Sequence, residues 1–323
     1  MATYKGIQGY TVQSLSTDPP AAQSVGQLWY NNDSGAYKIS VDAGGSWASA
    51  NNINTGRQET LGTGPGVAGM IVDGSTTSND ADQVYLTEVF DGTNWAETGD
   101  TDQRRQDAAS AGIATSALIT AGYTTSPRGN SSFTETFNGS TWTEETNISN
   151  GYQGRRGLGA TEDASLIVSS DGQNHCELWN GSSWSELNNQ LTARSGQGTF
   201  GTSTAGIGAG GTPYAAIVES WDGTSWTEVN NLNTARAYQS AAGTQTDGLI
   251  FGGNTPPGTA KTETYDGTSW TESGDLSSAG YYAAGGGTGS AAIVMGGQPI
   301  PVRLSVSEQW TSPVYSVKTV TVS

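Results

Sequence analysis

Sulfur and imidazole are scarce: one cysteine, Cys176, one histidine, His175, and three methionines in 323 residues. A single cysteine excludes an intrachain disulfide, and one Cys-His pair falls short of a structural zinc site, which needs four ligands. His175 and Cys176 are read as an ordinary strand position, and no cofactor or metal is expected. Basic residues are few, 13 against 30 acidic, for a net charge of -17. A surface of that sign repels phosphate backbones, so nucleic acid is not an expected partner. Arg104-Arg105 and Arg155-Arg156 are isolated pairs, and the charge reads as solubility. No apolar run approaches membrane-spanning length, so no membrane insertion is expected. The first residues, Met1-Ala-Thr-Tyr-Lys-Gly6, show no basic-then-apolar signal pattern, which places synthesis and assembly in a cytosol.

What is abundant is glycine, 46 residues, with many Ser and Thr. Alone, that mixture would suggest low complexity. Ten Trp, thirteen Tyr and five Phe argue otherwise, because they fall at regular places. A turn and a tryptophan recur as Asp91-Gly-Thr-Asn-Trp95, Asn138-Gly-Ser-Thr-Trp142, Asn180-Gly-Ser-Ser-Trp184, Asp222-Gly-Thr-Ser-Trp226 and Asp266-Gly-Thr-Ser-Trp270. The tryptophans are spaced by 47, 42, 42 and 44 residues, and Trp47 lies 48 before Trp95. Each turn follows a Glu-x-aromatic triplet: Glu88-Val-Phe90, Glu135-Thr-Phe137, Glu177-Leu-Trp179, Glu219-Ser-Trp221 and Glu263-Thr-Tyr265. A sixth, Glu308-Gln-Trp310, has no turn of this kind after it. An arginine opens most units, at Arg57, Arg105, Arg156, Arg194 and Arg236, with Gly280 in the sixth place.

One unit reads as four short strands. A small-residue strand such as Ala237 to Ala242 comes first, then an apolar strand ending in glycines such as Leu249-Ile-Phe-Gly-Gly253. A loop of variable length leads to the Glu-x-aromatic strand. Asp-Gly or Asn-Gly then turns the chain, since both tolerate positive φ, into a strand that alternates Trp with polar residues. Repeats of 40–50 residues with four antiparallel strands are the signature of propeller blades. The expected fold is therefore all-β: a six-bladed kelch-like β-propeller closed by pairing of the chain ends, with seven blades as the alternative. Residues 1–45 form an N-terminal arm and hairpin, 46–312 the propeller and 313–323 a C-terminal strand. The strand around Ser46 to Ser49 is expected to complete the sixth blade, with Val314 to Val322 as its competitor. Aromatics would fill the spaces between blades and small residues the crowded centre.

The apolar-Gly-Gly strand, the downstream aromatic and the Trp resemble kelch repeats. Glu263 to Glu272, with Leu232-Asn-Thr-Ala-Arg236, is similar to kelch-like repeat proteins of marine tailed phages, including those of cyanobacteria, over roughly residues 47 to 312. Gly26-Gln-Leu-Trp-Tyr-Asn31 and Tyr37-Lys-Ile39 resemble short modules of phage fibre and other virion proteins. The resemblance implies a virion structural protein assembled in the host cytoplasm and displayed on the particle surface. Host attachment by a tail fibre or appendage is the expected role, and capsid decoration or connection the alternative. Other virion subunits, a further copy of the chain, and a host-surface glycan or protein are the expected partners. Val168-Ser-Ser-Asp171 departs from the repeat by lacking the twin glycines.

The chain is expected not to be an enzyme. One His and one Cys do not supply a copper-oxidase ligand set, and no Gly-x-Ser-x-Gly elbow flanks a serine. A propeller-fold carbohydrate-active enzyme using two carboxylates is the remaining alternative. The once-per-unit Glu residues read as structural, paired with the repeat Arg. Binding is expected instead in the variable second-to-third loops. The candidate contacts are Asp80, Asp82, Arg128, Asn130, Tyr214 and Arg303.

Overall fold

The structure, a computed structural model, describes residues 12–24, 26–42, 44–64, 68–77, 82–170, 172–298, 305–313 and 315–320. The chain divides into two compact units. One joins the described residues up to Gly45 with those from Ser312 onward, and the other runs from Ser46 to Thr311.

The smaller unit is one four-stranded sheet. Gln13–Leu15 pairs in parallel with Leu28–Asn31, which forms a hairpin with Ala36–Asp42, and Tyr315–Thr319 adds antiparallel to that strand. Trp29 is buried here, and its indole N–H donates to Asp18 at 2.9 Å. Asn31 donates to the same carboxylate oxygen at 2.6 Å. These two bonds hold the Asp18 carboxyl below its usual range.

The larger unit contains six four-stranded antiparallel sheets, one per repeat. The fifth repeat shows the pattern: Ser240–Thr244, Asp247–Phe251, Thr262–Tyr265 and Trp270–Glu272. The outer hairpin follows from turn chemistry. The Asp266 carboxylate accepts from the Thr268 and Ser269 N–H groups at 2.8 and 2.7 Å, and Gly267 takes φ +90°. A side chain at that φ is strained, so the Asp-Gly order is required. The turn sets Tyr265 opposite Trp270, with ring centroids 4.7 Å apart. Phe90 and Trp95, Phe137 and Trp142, Trp179 and Trp184, and Trp221 and Trp226 pair across their turns at 5.0 to 5.3 Å.

These aromatic pairs lie between sheets. Tyr265 and Trp270 pack on Phe200, Ile207 and Val218 of the fourth repeat. Trp221 and Trp226 pack on Leu166, Val168 and Cys176 of the third. Phe90 and Trp95 of the first repeat pack on Ile293 and Met295 of the last. The apolar core is thus six clusters, each shared by two sheets, rather than one central mass.

The expectation of a six-bladed kelch-like β-propeller closed by chain-end pairing, or of a seven-bladed one, is corrected on hydrogen-bonding grounds. No sheet among the described residues closes on itself; the seven four-stranded sheets and the one two-stranded sheet are all open, each with two edge strands. The strands near the chain ends are divided between the two units. As expected, Ser46–Ala50 adds to Ser307–Thr311 as the fourth strand of the last repeat, and the competing C-terminal strand does not, since Tyr315–Thr319 adds to Ala36–Asp42 in the smaller unit. The fold is an all-β set of separate sheets. The physical reason lies at the inner edges, where first strands of successive repeats meet through glycine and alanine. A Cβ on Gly62 would sit 2.8 Å from the Ala284 Cβ, and one on Gly157 would sit 2.2 Å from the Ser110 carbonyl oxygen. Single side-chain bonds bridge that gap in place of a ladder: Thr199 donates to the Gly157 carbonyl at 2.8 Å and Ser240 to the Ala283 carbonyl at 2.9 Å.

Candidate binding site

The frame of five of the six repeats is a buried ion pair. Arg57 meets Glu88 at 3.0 Å, Arg194 meets Glu219 at 2.9 Å and Arg236 meets Glu263 at 2.5 Å, and Arg105 contacts Glu135. The carboxylate also accepts main-chain N–H groups from the segment before the arginine. Asn233 and Thr234 donate to Glu263 at 2.7 and 3.1 Å. Once-per-repeat Glu and Arg are therefore one structural device.

The third repeat departs from the arginine assignment: Arg155, not Arg156, reaches Glu177, at 2.8 Å. Gly122 donates to the Tyr152 carbonyl as Gly74 does to that of Arg105 and Gly211 to that of Arg236. Tyr152 thus holds the backbone place of the repeat arginine, and the guanidinium arrives from three residues later. In the sixth repeat, where glycine stands at 280, Glu308 accepts from the Ser277 N–H and hydroxyl at 3.0 and 2.8 Å.

The second repeat's pair is supplemented by Asp73 of the first repeat, which sits 3.3 Å from the Arg105 guanidinium and accepts from the Thr101 hydroxyl at 2.6 Å. Burial pushes its carboxyl up to about 7, with Arg105 and Thr101 pulling the other way. Burial also lowers Arg105 to about 10, so it remains a cation at neutral pH. A raised carboxyl means that the folded protein holds a proton the unfolded chain has released. Between pH 4 and 7 this group's contribution to stability therefore falls as pH rises. Asp73→Asn should remove that slope: the midpoint of the variant, relative to the wild type, should climb steadily from pH 4 to 8 in thermal unfolding. A pH-independent difference would show that Asp73 stays ionised throughout.

Two residues after the repeat arginine the backbone turns left-handed. Glu59, Asp107, Tyr238 and Tyr282 take φ between +48° and +58°, and Gly154 and Gly196 stand at +74° and +61° in the remaining repeats. Four non-glycine residues in this region each cost roughly 1 kcal/mol or more, a pattern associated with functional surfaces. A chain of main-chain bonds joins them. Asp107 N–H donates to the Glu59 carbonyl at 3.1 Å, Gly154 to Asp107 at 2.9 Å and Tyr238 to Gly196 at 2.6 Å. Tyr282 donates to Tyr238, and Glu59 back to Tyr282, both at 3.1 Å.

Five of these residues, Glu59, Asp107, Gly154, Tyr238 and Tyr282, line a cavity of about 450 Å³ together with Gln106, Tyr123, Gln153 and Ser195. A narrower cavity of about 90 Å³ shares Glu59, Asp107, Tyr238 and Tyr282 and is lined by Arg156 and the first strands. Arg156 meets Asp107 at 3.0 Å. The Tyr238 and Tyr282 rings lie 4.4 Å apart, and burial, with Tyr238 and Asp107 nearby, pushes the Tyr282 phenol above its usual range. The larger cavity therefore offers carboxylates, amides and aromatic faces, and the narrower one adds a guanidinium.

The sequence-derived contacts fall elsewhere. Asp80 and Arg303 lie outside the described residues. Asp82 is exposed, accepts from the Thr77 hydroxyl, and lines a shallow cleft of about 360 Å³ with Tyr85 and Arg104, whose guanidinium lies 4.8 Å over the Tyr85 ring. Arg128 and Asn130 are exposed in the two-stranded hairpin Tyr123–Thr125 and Arg128–Asn130, and Arg128 donates to the Tyr123 hydroxyl at 2.6 Å. Gln83 ties the first loop to this hairpin through the Tyr123 carbonyl at 2.9 Å and the Thr125 N–H at 3.0 Å. Tyr214 is 42% exposed in the fourth repeat. No cavity draws these four together.

Reading the loops for length missed Glu59, Asp107, Tyr238 and Tyr282. The available signal was a position that varies among repeats inside a constant frame. His175 stacks on Tyr152 at 6.4 Å, and burial pushes the buried Cys176 thiol up to about 12, so it stays protonated at neutral pH. Among the described residues, no cluster of His, Cys, Asp and Glu has metal-binding geometry. No protein-family model matches the chain, and no curated protein matches it either.

Proposed function

We propose that this chain is a non-enzymatic structural protein of a bacteriophage particle, a tail fibre or related appendage that recognises a host-surface glycan or protein. The observation carrying this reading is the rim of left-handed residues. Its backbone repeats, while its side chains change from repeat to repeat: acidic, absent or aromatic. A rigid frame that varies only where it faces a cavity suits recognition. The wording of Glu263 to Glu272, similar to kelch-like repeat proteins of marine tailed phages, supplies the particle context. The test is to locate and count the protein on purified virions by antibody labelling and quantitative mass spectrometry. Few copies at the tail end are expected. Copies spread over the shell in proportion to the capsid protein would replace host attachment by decoration. Absence from particles would remove the virion reading.

A second reading, a carbohydrate-active enzyme, draws support from the convergence of Glu59 and Asp107 on one cavity. Release of reducing sugar from host polysaccharide, abolished by Glu59→Gln, would favour it over recognition alone.

A further inference from the structure

We infer that the cavity rimmed by Glu59, Asp107, Tyr238 and Tyr282 binds a neutral pyranose unit of an oligosaccharide. This rests on the recognition reading and names its ligand class. In repeat order the left-handed residues are Glu59, Asp107, Gly154, Gly196, Tyr238 and Tyr282. Two acids are adjacent, two glycines follow, and two tyrosines complete the circuit. The cavity is therefore sided, with an oxygen-rich wall, a gap and an aromatic wall.

Gly196 is part of how the aromatic wall is built. A Cβ there would lie 2.5 Å from the Tyr238 ring, so Tyr238 lies flat across the neighbouring repeat only because that residue is glycine. Tyr282 then packs against Tyr238. On the other wall the carboxylates of Glu59 and Asp107 stand near one guanidinium, Arg156, which meets Asp107, in a chain of net charge -17. That sign disfavours phosphates, sulfates and acidic sugars. A ligand with one apolar face and a perimeter of hydroxyls matches both walls at once: its C–H face covers a tyrosine, and its hydroxyls donate to carboxylates and accept from the Gln106 and Gln153 amides. The volume, about 450 Å³, lies in the range of small-ligand sites and has room beyond a single ring at the glycine gap.

The test is calorimetric titration of the full chain with neutral gluco-, galacto- and manno-configured di- and trisaccharides, beside sulfated and uronic-acid analogues. At least one neutral saccharide should bind. Tyr238→Ala and Glu59→Gln should each weaken it about tenfold or more, as loss of a stacking face or a charged acceptor implies. Glu59→Gln is nearly isosteric, and an unchanged thermal midpoint separates lost binding from lost folding. Failure of every neutral saccharide, binding of the anionic analogues only, or affinity unchanged in both variants would overturn the assignment. Adsorption of the same proteins to host cells separates this inference from the reading beneath it. Saccharide binding without adsorption sinks host recognition and leaves the pocket. Adsorption that survives both substitutions, with no saccharide bound, sinks the pocket and leaves host recognition.

Discussion

Glu263→Ala is expected to lower the free energy of unfolding by about 3–5 kcal/mol, the cost of stranding one member of a buried ion pair. Arg236 and Glu263 are fully buried and 2.5 Å apart. Arg236 also donates to the Gly252 and Lys261 carbonyls, at 3.1 and 2.7 Å, and to that of Thr234 at 3.2 Å. Removing the carboxylate leaves a guanidinium that water cannot reach and two main-chain N–H groups, of Asn233 and Thr234, without their acceptor. Burial already depresses Arg236, so the cation depends on Glu263 for its charge to be tolerated. Replacing both residues by apolar side chains of similar size should cost much less, because no charge is then stranded. Urea unfolding of the single and double variants checks this. A loss under 1 kcal/mol for Glu263→Ala would mean that the pair is solvated in solution.

Trp221→Ala should cost a similar amount, about 3–5 kcal/mol, for a different reason. The indole is fully buried between the third and fourth sheets, against Leu158, Leu166, Val168 and Cys176. Because each apolar cluster belongs to two sheets, a cavity there loosens their contact as well as one core. The Trp221 N–H also donates to the Ser203 carbonyl at 3.0 Å, which loses that partner. Trp221→Phe keeps most of the ring volume and should cost clearly less. Equal losses for the two variants would show that the hydrogen bond, not the packing between sheets, dominates.

Much of this was legible in the sequence because it is local. The Asp266-Gly267 turn, the facing of Tyr265 and Trp270, and the four-strand order of a repeat depend on residues within a few positions of one another. The Arg–Glu device was legible for another reason: Glu263 recurs in step with Arg236, and charges that recur inside apolar repeats need partners. The third repeat shows the limit of that reasoning. Of two adjacent arginines, the nearer match by spacing, Arg156, faces Asp107, and Arg155 takes Glu177. A long side chain can reach one site from several backbone positions, so spacing alone does not choose.

The binding rim was hidden for a related reason. Glu59, Asp107, Tyr238 and Tyr282 lie far apart in sequence, and no neighbour marks them as partners. They become one site only because each repeat bends left-handed at the same place and five of these positions accept a main-chain bond from their neighbour. By itself the sequence determined the strands, the turns, the repeat and the residues that pair within it, since those follow from backbone preference and short-range chemistry. Which of two adjacent arginines serves Glu177, which sheet takes the C-terminal strand, and which distant residues line one cavity were decided only by the tertiary structure, because each depends on where separate segments come to rest against one another.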